Sequence, residues 1–193
     1  MTNILFVCTG NTCRSPMAES MLRHMAKSRG VTIEVQSAGV SAWDGTPMSQ
    51  LAKEVLEQRK MSNEQFRSHA LTGQAVAWAD LVLTLTLGHK QHVLQRFPEA
   101  ADKTFTLKEY VHQDGDQRNV QGALNALVTE LQLKLALGDQ PTTEEMEQLN
   151  YLQSQLPDMD IGDPFGGSLL HYEQTASEIA QALDQLLHRL SEK

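Results

Sequence analysis

Residues Asn3 to Val7 form a short, β-rich apolar run that stops at a polar, glycine-containing turn, Cys8 to Ser15, before a helical pattern begins at Pro16. The order strand, turn, helix constrains the fold more than any other stretch of the chain. Ser15 is placed to act as N-cap with Pro16 at the first helical position. Met17, Met21, Leu22 and Met25 make one apolar face, and Gly30 stops the helix.

The alternation continues. Val31 to Val35 reads as a second strand running into Ser37-Ala38-Gly39, and Thr46-Pro47 starts a helix to about Arg59 with Leu51, Val55 and Leu56 inward. Leu81 to Leu85 is a near-continuous apolar run of the kind parallel strands show when buried on both faces. A helix around Gly88 to Phe97 and a strand near Thr104 to Leu107 follow. The last 25 residues read as an amphipathic helix with Leu169, Leu170, Ile179, Leu183, Leu186, Leu187 and Leu190 on its apolar side. This pattern predicts an α/β fold with a parallel sheet covered by helices on both faces. Ligands of such folds sit beyond the carboxyl ends of the strands, where the Cys8 to Ser15 turn falls.

Residues 113–160 differ in character. Val120, Leu124, Leu127, Val128, Leu131 and Leu135 recur at helical spacing up to Gly138. Thr142 with Glu145 fits a capping box for a second helix carrying Met146, Leu149, Leu152 and Leu156 to Pro157. A helical hairpin within one domain of 193 residues is expected. The chain's net charge of −8 resides mostly there: residues 113–160 hold nine acidic and two basic groups, and the other 145 residues sum to −1. The body is thus nearly neutral and does not repel an anion. The acidity argues against a nucleic-acid surface. No run of about 18 apolar residues exists, and Met1 to Val7 has no basic region ahead of it, so neither a membrane span nor a secretory signal is expected. Two cysteines, Cys8 and Cys13, cannot build a multi-bridge secreted framework, which points to a cytoplasmic protein.

Cys8-Thr9-Gly10-Asn11-Thr12-Cys13-Arg14-Ser15 carries the chemistry. A turn between a strand and a helix aims backbone N–H groups at one centre, and the helix terminus adds its positive end. Arg14 can grip phosphate oxygens bidentately, and Cys8 lies at the floor of the concavity. The same field is expected to make Cys8 a thiolate near neutrality.

The string from Cys8 to Glu19 resembles the signature of the low-molecular-weight protein tyrosine phosphatase family, and Asp163-Pro164-Phe165 resembles its second signature. The likeness covers about residues 1–112 and 161–193. It implies a three-layer α/β/α fold with a four-stranded parallel sheet, a cysteinyl-phosphate intermediate, and neither metal nor cofactor. Cys8 would be the nucleophile, Arg14 the transition-state clamp and Asp163 the general acid. Thr9, Gly10, Asn11, Thr12, Cys13 and Ser15 would line the phosphate, with phosphate or sulfate a fitting occupant. Ser15 would donate to the thiolate, and Asn11, with Ser37 and His69 as partners, would hold the loop in its strained shape. Cys13 by the same resemblance would form a reversible disulfide with Cys8, an inert buried thiol being the alternative.

Tyrosine phosphatases of the family usually carry a bulky aliphatic residue where this chain has Thr12, and a tyrosine after the Asp-Pro where it has Phe165. Thr12, Asp163-Pro-Phe-Gly-Gly-Ser168 and Phe105 to Val111 resemble instead the bacterial protein-arginine phosphatase branch. A small polar Thr12 leaves room for a guanidinium, an exchange able to shift selectivity by about 1 to 3 kcal/mol. Trp43 could stack on a phenyl ring or a guanidinium, or simply pack. The expected substrates are phosphoarginine proteins, with phosphotyrosine as the alternative. An arsenate reductase would need further cysteines; a phosphocarrier would have little use for Asp163; a binding module would not need Cys8, Arg14 and Asp163 together. His89 and His92 lack a third ligand candidate for a metal, and His24, His112, His171 and His188 read as surface or packing residues. The 113–160 segment is a candidate surface for a partner or self-association, and could favour cationic substrates.

Overall fold

A computed structural model describes residues 1–112, 115–155 and 158–191. The expectations on Leu156 and Pro157 lie outside the described residues. Two compact units are present, residues 1–111 with 160–193, and residues 112–159.

In the first unit, β1 (Thr2–Cys8), β2 (Ile33–Gly39), β3 (Leu81–Thr84) and β4 (Thr104–Thr106) form a parallel sheet in the order β2-β1-β3-β4. Ile4 pairs with Val35 on one side and with Leu81 on the other. Side chains alternate across the sheet. Ile4, Phe6, Leu81 and Leu83 face a core shared with α1 (Arg14–Ser28), α2 (Gln50–Gln58), α5 (Leu107–Val111) and α8 (Leu169–Ser191). Leu5, Val7 and Val82 face a second core under α3 (Gly73–Trp78) and α4 (Leu87–Arg96). The expected three-layer α/β/α architecture is therefore present.

Met17, Met21 and Leu22 of α1 are fully buried, and Gly30 ends the helix with φ +68°, a conformation glycine adopts without steric cost. The expected start of α2 is shifted. Thr46 does not open α2, because its hydroxyl donates to the Trp43 carbonyl (3.0 Å) and its N–H to Ser68 Oγ (3.0 Å), which ties it into a turn. Ser49 caps that helix instead, accepting the Ala52 N–H. In α8, Ile179, Leu183, Leu186 and Leu187 are buried as expected, whereas Leu170 is exposed. The short helices α3 and α5 have no counterpart in the sequence expectation.

The second unit contains α6 (Gly115–Ala136) and α7 (Thr143–Gln155). The capping box forms as read: Glu145 N–H donates to Thr142 Oγ1 (3.2 Å), and Thr142 N–H to Glu145 Oε2 (2.8 Å). Leu127 and Leu131 are buried, while Leu135, expected on the same face, is half exposed. Among the described residues, no helix is long and apolar enough to cross a membrane.

Candidate active site

β1 ends at Cys8, the loop 9–13 turns over it, and α1 starts at Arg14, so backbone N–H groups and the first turn of a helix converge above one sulfur. The loop is held from outside by backbone bonds. Val40 N–H donates to the Cys8 carbonyl (2.9 Å), Ser41 N–H to that of Thr9 (3.0 Å) and Ser49 N–H to that of Thr12 (2.9 Å). Gly39, the last residue of β2, lies so close that a Cβ there would meet Thr9 O at 2.4 Å and Asn11 N at 2.9 Å.

Asn11 holds the loop from inside. It is fully buried with φ +52°, in the left-handed region that asparagine tolerates better than most residues. Its Oδ1 accepts the His69 backbone N–H (2.8 Å), which fixes the amide's orientation. Its Nδ2 then donates both protons, to Ser15 Oγ and to Ser37 Oγ, each at 2.8 Å. Ser37 Oγ–H in turn donates to Glu19 Oε2 (2.5 Å). Ser15, already accepting from Asn11, has its proton left for Cys8 Sγ at 2.9 Å. The chain of donors thus ends on the sulfur. His69 joins this network through its backbone, not its imidazole, which is exposed.

Ser15 is consequently not the N-cap expected of it. The helix begins two residues earlier, at Arg14 after Cys13, with no side-chain cap, and the Ser15 hydroxyl is committed to Asn11 and Cys8. Burial works against the thiolate expected at Cys8, and the loop works for it. Burial pushes the Cys8 thiol up, against the opposing pull of the Ser15 hydroxyl, the Ser15 and Asn11 backbone N–H groups and the Arg14 charge.

Arg14, itself buried, donates through Nη2 to Asp163 Oδ2 (2.8 Å) and through Nη1 to the Ile161 carbonyl (3.3 Å). Residues 149 positions apart are thereby brought together. Asp163 Oδ1 accepts the Phe165 N–H (3.2 Å). Trp43 and Phe165 are exposed, at 84% and 78%, so neither packs into the core. Cys13 is buried, with Sγ 3.3 Å from Tyr172 OH and 3.4 Å from Ser49 Oγ. Burial and the Cys13 contact push the Tyr172 phenol up. Among the described residues, no cluster of three or more His, Cys, Asp or Glu side chains has the arrangement of a metal site.

Three residues of this assembly escape a reading of the sequence. Glu19, Tyr172 and His89 each contact the loop or its support, the last through a 2.8 Å bond between Nε2 and Thr9 Oγ1. Only Glu19 carried a signal, as the last residue of the motif string.

The low molecular weight phosphotyrosine protein phosphatase family matches residues 3–126. The protein-arginine-phosphatase of Geobacillus stearothermophilus is 36% identical over 187 residues, covering 97% of this chain and 95% of that one. A solved arginine phosphatase, a cysteine-to-serine variant with its active-site serine phosphorylated, is 33% identical. It superposes with a TM-score of 0.71 over 99% of this chain and 97% of its own. A probable low molecular weight protein-tyrosine-phosphatase of Ralstonia nicotianae is 38% identical over 106 residues, 55% of this chain and 70% of that one. The family model covers most of the chain and full-length relatives share over a third of its residues, and on these matches the chain belongs to the low molecular weight phosphotyrosine protein phosphatase family.

Proposed function

We propose that this chain, a cysteine-based phosphatase by family, hydrolyses phosphoarginine on proteins through a phosphorylated Cys8. The observation that carries the reading is the donor chain from Asn11 through Ser15 to the Cys8 sulfur, with Arg14 and Asp163 joined beside it. In the first step the Cys8 thiolate attacks phosphorus and the P–N bond breaks. Asp163 delivers its proton to the departing guanidine nitrogen. In the second, water attacks phosphorus, Asp163 takes its proton, the P–S bond breaks and orthophosphate leaves. Throughout, the loop amides of residues 9–15 and Arg14 stabilise the equatorial oxygens. The guanidinium has five N–H donors, of which Asp163 and Ile161 each take one, so donors remain for the phosphate.

The arginine reading is supported by the relatives named as arginine phosphatases and by Thr12, half-buried at the loop, where a branched aliphatic would crowd a guanidinium. Asp163, half exposed, could pair with that guanidinium as well as protonate it. The exposed Trp43 can stack on a phenyl ring as well as on a guanidinium, which keeps phosphotyrosine as the second reading. Measuring kcat/KM for matched phosphoarginine and phosphotyrosine peptides decides between them. The wild type should prefer phosphoarginine, and Thr12→Ile should erode that preference by about 10- to 100-fold. A preference for phosphotyrosine that Thr12→Ile leaves unchanged sinks the arginine assignment.

The two free cysteines suit a reducing cytoplasm, and oxidation would join Cys8 to Cys13 reversibly. Peroxide inactivation that stays equally reversible in Cys13→Ser would remove that idea.

A further inference from the structure

Thr9, the residue after Cys8, is fixed from two sides. Its carbonyl accepts the Ser41 N–H at 3.0 Å. Because the peptide is planar and trans, pinning that carbonyl also sets the direction of the Gly10 N–H, which points the opposite way. Its hydroxyl lies 2.8 Å from Nε2 of His89, a residue 80 positions away in sequence.

His89 is the third residue of α4 and is only 7% exposed. Its Nδ1 lies 2.9 Å from Thr86 Oγ1, and the same oxygen accepts the His89 backbone N–H at 3.2 Å as the cap of that helix. Both ring nitrogens are therefore occupied, one by the cap of α4 and the other by the phosphate loop. A ring held at both ends is a rigid strut, and Thr9 is a side chain that would otherwise rotate freely at the exposed mouth of the loop.

We infer that His89 is a positioning residue for phosphate binding, bracing the first turn of the Cys8 loop through the Thr9 hydroxyl. It touches neither the sulfur nor the groups that move protons in the reaction, and acts through Thr9 alone. Burial, then the charge of Arg14, pushes the ring down to about 4; Asp160 and Asp163 pull it up and His92 adds a small push down. The strut is therefore a neutral imidazole at physiological pH. In that state it offers one donor and one acceptor, which the two threonine hydroxyls can match in either tautomer.

This inference rests on the loop being the phosphate site and not on which phosphorylated residue is the substrate. Orthophosphate inhibition of p-nitrophenyl phosphate hydrolysis reads the loop directly. His89→Ala and Thr9→Val should each weaken orthophosphate about tenfold, the loss of one part-buried hydrogen bond. The double variant should be no weaker than the worse single one, because both changes cut the same link. His89→Gln, whose amide can bond Thr9, should recover most of the affinity. Additive losses, or an orthophosphate constant within about twofold of wild type in Thr9→Val and His89→Ala, overturn the inference. So does a lowered melting temperature with unchanged affinity, which would make His89 a core residue only. If His89→Ala does not fold, His89→Gln and Thr9→Val carry the same comparison. A wild type that binds no orthophosphate removes the phosphate-site reading itself, so the two failures are distinct.

Discussion

Asn11 combines a left-handed backbone with three hydrogen bonds from one buried amide, and no other side chain could replace it without loss. Alanine there would leave the His69 N–H without its acceptor and two hydroxyls without their donor, at a cost of about 2 to 4 kcal/mol by urea denaturation. Ser15→Ala has a different signature. It removes the donor that opposes burial at Cys8, so the midpoint of iodoacetamide alkylation against pH should move upward. An unchanged midpoint would show that the hydroxyl does not bear on the thiolate. His89 bears on stability as well. Its folded value of about 4 lies below the ordinary 6.5, so the unfolded chain holds the extra proton between these values. Its contribution is full above pH 6.5 and is lost as pH falls towards 4. Denaturation curves across that window should fall more steeply for wild type than for His89→Gln. Cys8 and Arg14 stood out in the sequence because they share one dense turn between a strand and a helix, whereas Asp163, which the fold brings to Arg14, was singled out only by the family resemblance. His89 and Tyr172 did not stand out, since their partners lie 80 and 159 positions away and only the folded sheet brings them together.

At the scale of elements, the site depends on how the end of β2 meets the loop that follows β1. Gly39 pairs with Cys8 across the two strands, and its missing side chain is what lets the loop close over it. Two of the three atoms a Cβ would strike are backbone atoms of the loop, which cannot rotate away. Gly39→Ala should therefore displace the loop, lowering kcat/KM by at least about 100-fold while costing stability only about 1 to 3 kcal/mol. Activity near wild type would show that the loop can yield without penalty. The four strands and the long helices could be read from periodicity, because burial on one or both faces imposes it on the sequence. α3 and α5 are six and five residues long, too short for a period to register. The start of α2 was misplaced for another reason: Thr46 and Ser49 are both good caps, and the choice between them is made by Trp43 and Ser68, which belong to other segments.

The whole molecule divides its labour as its charge divides. Both cores of the first unit are built, among the described residues, from residues 1–111 and 160–193 alone. The second unit has its own buried pair, Leu127 and Leu131, its own capping box, and the Lys134–Glu145 ion pair. It holds most of the negative charge of a chain whose remainder is close to neutral. A hairpin is not needed to complete a phosphate loop, so its acidity must act, if it acts on catalysis, through the field it casts on approaching substrates. Such a field is screened over about 8 Å at physiological salt, so its effect should shrink as salt rises. Replacing residues 117–156 by a glycine-serine linker should leave turnover of p-nitrophenyl phosphate unchanged and thermal stability close to wild type. It should also lower kcat/KM for phosphopeptides flanked by lysine and arginine, and flatten the salt dependence of that value. If peptide selectivity and its salt dependence are the same with and without the segment, the hairpin serves association or stability, and the concentration dependence of the oligomeric state is then where its removal should be felt.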